Sequence, residues 1–312
     1  MANKISIIIP VYNSSKFLHK TVEAVDNERL KSCWNLELIL VEDGSPDNSF
    51  LAVEELSKIY SYIKGIKLSR NFGHQIAVKT GLGYATGDYI AIIDDDLQDP
   101  PSLLPRFFEQ LDLGYEVAYG VRKKRKEDRA KKFAYSSFYR ILSSISDTKI
   151  PLDSGDFCVM TKTVKDKMLT LDEQNPYLRG IRAWVGYKQI GLEYERDGRI
   201  EGESGYSLKK LIKIAKDGIF SFSSLPLQII SLLGNIGLLI SIGFTIVTFF
   251  RYFNNQIEVA GYTTIIILML FFNSILLISL GIIGEYIYRI YNEVRNRPHS
   301  IVEKTVGNYN TL

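Results

Sequence analysis

The sequence predicts an α/β head followed by a pair of helices long and apolar enough to cross a bilayer. Three observations predict it. Short β-rich apolar runs alternate with helical patterns from Ile5 to about Gly120. Acidic and amide-bearing residues gather where several of those runs end. Two stretches, Gly218 to Phe250 and Val259 to Gly284, contain no charged residue, and each exceeds the roughly 20 apolar residues that span a bilayer's hydrocarbon.

Composition bounds the classes. The chain has 312 residues, 46% hydrophobic and 23% charged, with a formal charge of +3, which excludes a collagen, a disulfide-stapled miniature and a disordered tail. A mean hydropathy of 0.00 averages over a polar front and an apolar back. Cys33 and Cys158 lie far apart, as do His19, His74 and His299, so zinc and redox chemistry have no visible ligand set and both thiols read as structural. The apolar run before Tyr12 is too short for a cleavable signal peptide, and the N-terminus is expected in the cytoplasm.

Strands are predicted at Ile5 to Ile9, Leu36 to Val41, Ile63 to Leu68, Tyr89 to Ile93 and Glu116 to Tyr119. Helices fall between them, at about Lys16 to Ala24, Ser49 to Ser61, Gln75 to Ala85 and Leu103 to Leu113. Such alternation predicts a parallel sheet covered on both faces, with ligands at the carboxyl ends of its strands. Polar residues cluster at three of those ends: Tyr12 and Asn13, Glu42 to Ser45, and Asp94 to Asp96.

Arg122 to Lys132 carries eight basic and two acidic side chains. It reads either as a solvated loop or as a contact for lipid headgroups or a phosphorylated acceptor, with Lys and Arg worth about 1 kcal/mol each at an anionic surface. From Ser207 to Phe220, Leu208, Leu211, Ile212, Ala215 and Ile219 share one helical face while Lys209, Lys210, Lys213 and Lys216 lie elsewhere, as on a helix lying flat at the interface. The spans are expected at about Leu225 to Phe250 and Tyr262 to Gly284, with basic residues outside both ends of the pair, so both flanks face the cytoplasm. The expected divisions are a head at 1–206, an amphipathic helix at 207–224, a two-span hairpin at 225–284 and a cytoplasmic tail at 285–312. Two buried core helices are the weaker alternative.

Asp94, Asp95, Asp96 and Asp99 follow the apolar run Ile90 to Ile93. Carboxylates crowded at a ligand edge repel one another unless a cation intervenes. Mg²⁺ or Mn²⁺ suits oxygen ligands and commonly takes one or two carboxylates plus substrate phosphate oxygens. Alone, such a turn is a weak signal, because short acidic turns are common in soluble domains.

Ile7 to Asn13, Val41 to Ser45, Arg70-Asn71-Phe72-Gly73 and Asp94 to Pro101 together resemble glycosyltransferase family 2. The similarity is strongest to its polyprenyl-phosphate branch, related to dolichol-phosphate mannose synthase and the bactoprenol glucosyl transferases. It covers nearly the whole chain, through Asp153 to Phe157 and Gly284-Glu285-Tyr286 to Arg297-Pro298.

The resemblance implies a GT-A fold. It also implies inverting transfer of a sugar, glucose first among candidates, from a nucleotide diphosphate, UDP before GDP, to a membrane polyprenyl phosphate of the cell envelope. Pro10, Tyr12 and Asp43 match positions that hold base and ribose, with Arg70 assisting. Asp94 opens and Asp96 closes the D-x-D motif around Asp95, with Gln98 a further contact to metal or diphosphate. Asp156 matches the proposed catalytic base; as a loop carboxylate capping backbone amides it would have only a structural role.

The pattern also departs. Asp95 stands where relatives often carry Ala, Ser14 where many carry Glu, and Phe157-Cys158-Val159 where the family has Phe-Arg-Leu. Gly205 replaces a usual Lys, which moves an acceptor-phosphate contact to Arg199 or Lys209, while Arg122 and Arg125 could steer the acceptor from the basic run. The implied partners are the nucleotide sugar, polyprenyl phosphate and the bilayer, at the inner membrane in a bacterium. No nucleic acid is expected, and homo-oligomerisation is left open.

Three other readings stand beside this one. They are a GDP-mannose-dependent polyprenyl-phosphate mannosyltransferase, a processive polysaccharide synthase and a membrane-tethered nucleotide sensor without turnover. Arg182 and Trp184 suggest the synthases' Q-x-x-R-W signature, but Arg179 stands where its Gln belongs. Two spans also make a poor channel.

Overall fold

The computed structural model describes residues 3–122, 154–171, 173–174, 176–194, 225–254 and 261–307. The chain divides into two compact units. One is the head, which also takes in residues from Arg297 onward; the other contains the two long helices.

In the head, β1 (Lys4–Val11), β2 (Asn35–Glu42), β3 (Ile63–Leu68) and β4 (Tyr89–Ile92) alternate with α1 (Leu18–Ser32), α2 (Ser49–Ile59) and α3 (His74–Tyr84). After α4 (Leu104–Asp112) come β5 (Val117–Arg122), β6 (Ser154–Thr161), α5 (Lys162–Thr170), α6 (Leu178–Trp184), β7 (Gln189–Tyr194) and finally β8 (Val302–Val306). The strands form one sheet in the order β7-β5-β6-β4-β1-β2-β3-β8.

β1 and β2 read as near-continuous apolar runs because both their faces are covered. Ile5, Ile7, Ile9, Leu36, Leu38 and Leu40 pack with Leu18, Val22, Val53, Leu56 and Phe107 from α1, α2 and α4. Ile8, Ile39 and Val41 point the other way, into a layer with Ala77, Val78, Leu82, Met168 and Ile181 from α3, α5 and α6. The period-2 alternation of strand side chains thus sorts one apolar run between two cores.

The five strands predicted from the alternation run parallel to one another, as expected, but the sheet as a whole is mixed because later strands enter antiparallel. β1 pairs in parallel with β2 and β4, β2 with β3, and β5 with β7. β6 enters antiparallel between β4 and β5, and β8 lies antiparallel on β3. The insertion of β6 matters for chemistry. Its register sets Ile92 opposite Cys158, and beyond that pair Asp94 and Asp156 come near enough for the Asp94 charge to act on Asp156.

In the other unit, α7 (Leu225–Phe253) and α8 (Tyr262–Arg295) each far exceed the length of an ordinary globular helix. Among the described residues one helical stretch, Phe271–Arg295, is long and apolar enough to cross a membrane, with 25 residues and a mean hydropathy of 1.5. α8 ends at Asn296 in the left-handed conformation, and Pro298 follows, a combination that stops a helix. The tail expected at 285–312 therefore divides: residues to Arg295 continue α8, and Arg297 onward belongs to the head. The basic run beyond Arg122 and the amphipathic helix at 207–220 lie outside the described residues, as do Arg125, Arg199 and Lys209.

Candidate active site

The carboxyl ends of β1, β2 and β4 make one rim. Pro10 pairs with Val41 and Val11 with Glu42, while the Ile93 amide donates to the Ile8 carbonyl at 3.1 Å. Tyr12, Asp43 and Asp94 consequently leave the sheet on the same edge, as the strand ends predict. Pro10 is buried in β1, whereas Tyr12 is 50% exposed and presents its ring to solvent.

Asp43 shapes the neighbouring loop. Its two oxygens accept the Phe72 and Gly73 amides at 2.7 and 2.8 Å. Burial pushes its pKa up, against these amides and the charges of His74 and Arg70. Gly44, at φ +59°, lets the chain turn beneath that loop; a Cβ there would meet the Arg70 carbonyl carbon at 2.3 Å. The Arg70 guanidinium lies 4.0 Å from the centroid of the Phe72 ring. Asp43 and Arg70 therefore meet through the loop backbone.

The acidic turn separates its members. Asp95 is turned to Ser14, whose hydroxyl donates to its carboxylate, and its carbonyl accepts the Thr21 hydroxyl at 2.6 Å. Burial pushes the Asp95 carboxyl up to about 7; the Ser14 hydrogen bond opposes the rise and the charges of Asp94 and Asp96 add to it. Asp96 accepts the Gln98 amide at 3.1 Å, so Gln98 is held by its backbone. Leu97 between them adopts φ +55°, the tight turn that folds Gln98 back. Asp99 is buried and accepts the Tyr194 hydroxyl.

Asp94 meets His74, with Nε2 3.1 Å from Oδ1. Partial desolvation works against the charge on His74, whose side chain is 41% exposed, but the Asp94 hydrogen bond and the charges of Asp94, Asp156 and Asp95 raise its pKa to about 9. Across the register, Arg179 Nε lies 3.1 Å from Asp156 Oδ1. Burial opposes ionisation of Asp156, yet Arg179, then His74 and Arg182, hold its pKa below the usual carboxylate value. Gln75 Oε1 accepts the Leu178 amide at 3.0 Å, joining the start of α3 to α6 and so His74 to Arg179. A charged chain thus runs from Asp94 through His74 and Asp156 to Arg179.

Sequence reasoning missed His74 and Arg179. The signal for His74 was its place directly after Arg70-Asn71-Phe72-Gly73, at the first residue of α3; Arg179 had none short of knowing that α6 packs on β6. Of the expected acceptor contacts, only the backbone of Arg122 is described, at the end of β5.

Among the described residues no three His, Cys, Asp or Glu side chains converge as a complete metal site. Asp95 is engaged by Ser14, Asp99 by Tyr194 and Asp94 by His74, and Asp94 and Asp96 are the first and last carboxylates of the motif. Two hard oxygen donors fit a Mg²⁺ or Mn²⁺ that completes its shell with substrate phosphate and water.

A family model described as Glycosyl transferase family 2 matches residues 6–169. Glycosyltransferase YkcC of Bacillus subtilis is 44% identical over 306 residues, 97% of this chain and 94% of that protein. The SfII prophage-derived bactoprenol glucosyl transferase of Shigella flexneri is 34% identical over 308 residues, 97% of this chain and 98% of that protein. Among solved structures, glucosyl-3-phosphoglycerate synthase from Mycobacterium tuberculosis, in complex with Mn²⁺, UDP and glucosyl-3-phosphoglycerate, is similar at 17% identity and a TM-score of 0.48, over 70% of this chain and 77% of that one.

Proposed function

The chain belongs to glycosyl transferase family 2, and from that premise we propose that it transfers a sugar from a nucleotide diphosphate to a membrane polyprenyl phosphate with inversion at the anomeric carbon. The observation that carries this reading is the near full-length similarity to a bactoprenol glucosyl transferase. That name makes glucose the first sugar to test, with UDP as its carrier.

Pro10, Tyr12, Asp43 and Arg70 form the nucleotide side of the site in this proposal, and Tyr12's exposed ring offers a stacking face to the base. Asp94 and Asp96 would hold Mg²⁺ or Mn²⁺, with Gln98 and Asp95 in the same turn. The cation, when bound, supplies neutralisation of the charge that grows on the departing diphosphate.

An acceptor phosphate oxygen forms the new bond to the anomeric carbon as the old carbon–oxygen bond breaks, and the nucleotide diphosphate leaves with that electron pair. The acceptor is a phosphate monoester with a second pKa near 6, so it arrives largely as the dianion. Asp156, kept ionised by Arg179, orients the acceptor or sugar or takes a residual proton; it does not have to create the nucleophile. Arg122, Arg125, Arg199 and Lys209 are the basic residues proposed to guide the acceptor phosphate.

We assign the head and both termini to the cytoplasm and α7 with α8 to a two-span hairpin. The proposed divisions are 1–206, 207–224, 225–284 and 285–312, with residues from Arg297 returning to the head's sheet. Confinement to the interface reduces the acceptor's search to two dimensions.

The test is a donor panel on the purified full chain in lipid nanodiscs, following nucleotide diphosphate release and the anomeric configuration of the product. Release that requires polyprenyl phosphate, with inversion, is expected. Release indifferent to polyprenyl phosphate sinks the proposal.

A further inference from the structure

We infer that Arg182 and Arg179 of α6 form the seat for a phosphate oxyanion beside Asp156, and that its occupant is the phosphate of the acceptor. This rests on the transfer reaction proposed above.

Arg182 is only 2% exposed, and its Nε and Nη2 find no hydrogen-bond partner among the described residues. Buried guanidinium donors are ordinarily satisfied, and each one left bare costs about 1–3 kcal/mol. The side chain is held in place: its Cζ lies 4.9 Å from the centroid of the Tyr119 ring, and its own carbonyl accepts the Gln189 amide nitrogen at 2.8 Å. A rigid side chain with unused donors is suited to a ligand that arrives later.

Arg182 lines a small cavity with Asp156, Arg179 and Gln75, whose remaining walls are apolar, among them Val78, Ile92 and Met160. Its charge counts there, because it favours ionisation of both Asp156 and Cys158. Arg179 stands one helical turn before Arg182, contacts Asp156 and keeps 24% of its side chain exposed, which places it at the mouth. Arg179 and Arg182 bring two guanidinium groups from α6 to bear on Asp156, and guanidinium forks suit phosphate.

The cavity has room for about one water molecule. It therefore admits a single phosphate oxygen, with the rest of the group held at the mouth by Arg179. The donor's diphosphate is assigned above to the cation held by Asp94 and Asp96, which leaves the acceptor's monoester as the phosphate for α6. Seated there, its remaining oxygens lie beside Asp156, where the reaction needs a nucleophile.

The test uses the full chain in nanodiscs, comparing wild type with Arg182→Met and Arg182→Lys. Two readouts are needed: KM for acceptor and donor separately, and binding of inorganic phosphate without any donor, followed by ³¹P line width. Loss of one charge-assisted contact predicts about a tenfold rise in acceptor KM or more for Arg182→Met, a smaller rise for Arg182→Lys, an unchanged donor KM and weakened phosphate binding. An unchanged acceptor KM with a lower kcat overturns the seat and makes Arg182 a positioning residue for Asp156. A rise in donor KM alone overturns it in favour of the diphosphate. If Arg182→Met does not fold, Arg182→Lys decides by the same readouts. If wild type turns over no polyprenyl phosphate, the functional reading fails separately, and the phosphate-binding comparison alone decides the seat.

Discussion

Ser14 donates its hydroxyl to the carboxylate of Asp95, so the middle acid of the D-x-D turn is committed to the loop that follows β1. The same hydroxyl lies 3.1 Å from the Tyr12 carbonyl, and the Ser14 amide donates to Ser49 Oγ at 2.9 Å. The loop carrying Tyr12 is thereby tied to the acidic turn and to α2. Ser14→Ala strips a part-buried carboxyl of its hydroxyl partner and is expected to cost about 1 kcal/mol of stability, read as a lower unfolding midpoint. Asp95→Asn keeps an acceptor for Ser14 and should leave cation affinity close to wild type. A large loss of affinity in Asp95→Asn would show that Asp95 turns outward to bind the ion.

Asp96 carries the opposite expectation. Its carboxylate accepts the Gln98 amide, and it is one of the two carboxylates proposed to hold the cation. Asp96→Ala should lower kcat by roughly 10²–10³, the scale of removing one group that stabilises charge in a transition state. Chelator should abolish turnover in wild type and Mn²⁺ should restore it. Undiminished product formation under saturating chelator would remove the cation from the mechanism.

The rim of the site was legible because it follows from strand ends. Pro10, Asp43 and Asp94 each terminate an apolar run, and a run buried on both faces can be recognised without knowing its neighbours. Asp156 was found through a motif, but its nearness to Asp94 depends on β6 pairing antiparallel with β4. Antiparallel insertion leaves no mark on the local pattern, since residues 89–92 and 158–161 look alike in either direction. β8 was hidden for a related reason: its partner β3 lies more than two hundred residues away, and a five-residue run rich in charge does not announce a strand. The Ser14–Asp95 contact joins two departures from the family pattern that looked unrelated along the chain.

β8 also gives a stability test. Gly307 closes it at φ +97°, where an added Cβ would stand 2.3 Å from the Ile63 carbonyl oxygen. Neither the angle nor the space suits an L side chain. Gly307→Ala should therefore destabilise the head by about 1–3 kcal/mol, whereas Gly114→Ala, also at positive φ but with nothing within 4 Å of the new Cβ, should cost less. Equal unfolding midpoints for the two variants would mean that contact with Ile63 contributes nothing.

Glu37 sets the acid limit of the head. Its carboxylate is buried in β2, where it accepts Ser6 Oγ and Lys64 Nζ, each at 2.6 Å, and the Thr86 amide at 2.9 Å. Burial alone would raise its pKa, but the Lys64 and Ser6 hydrogen bonds, the Thr86 amide and the Lys64 charge together bring it from 4.5 down to about 2. A carboxylate whose folded pKa is depressed adds stability above its unfolded pKa and loses it as pH falls toward the folded one. The contribution should be complete above about pH 4.5 and vanish as pH falls through about 2, with a shift of this size corresponding to about 3 kcal/mol. Glu37→Gln should accordingly lower neutral-pH stability by that order, and the gap between variant and wild type should close across the same acid window. Denaturant unfolding of the two proteins at stepped pH checks it; a gap that stays constant from neutral pH to pH 2 would show that the loss comes from packing and not from the charge.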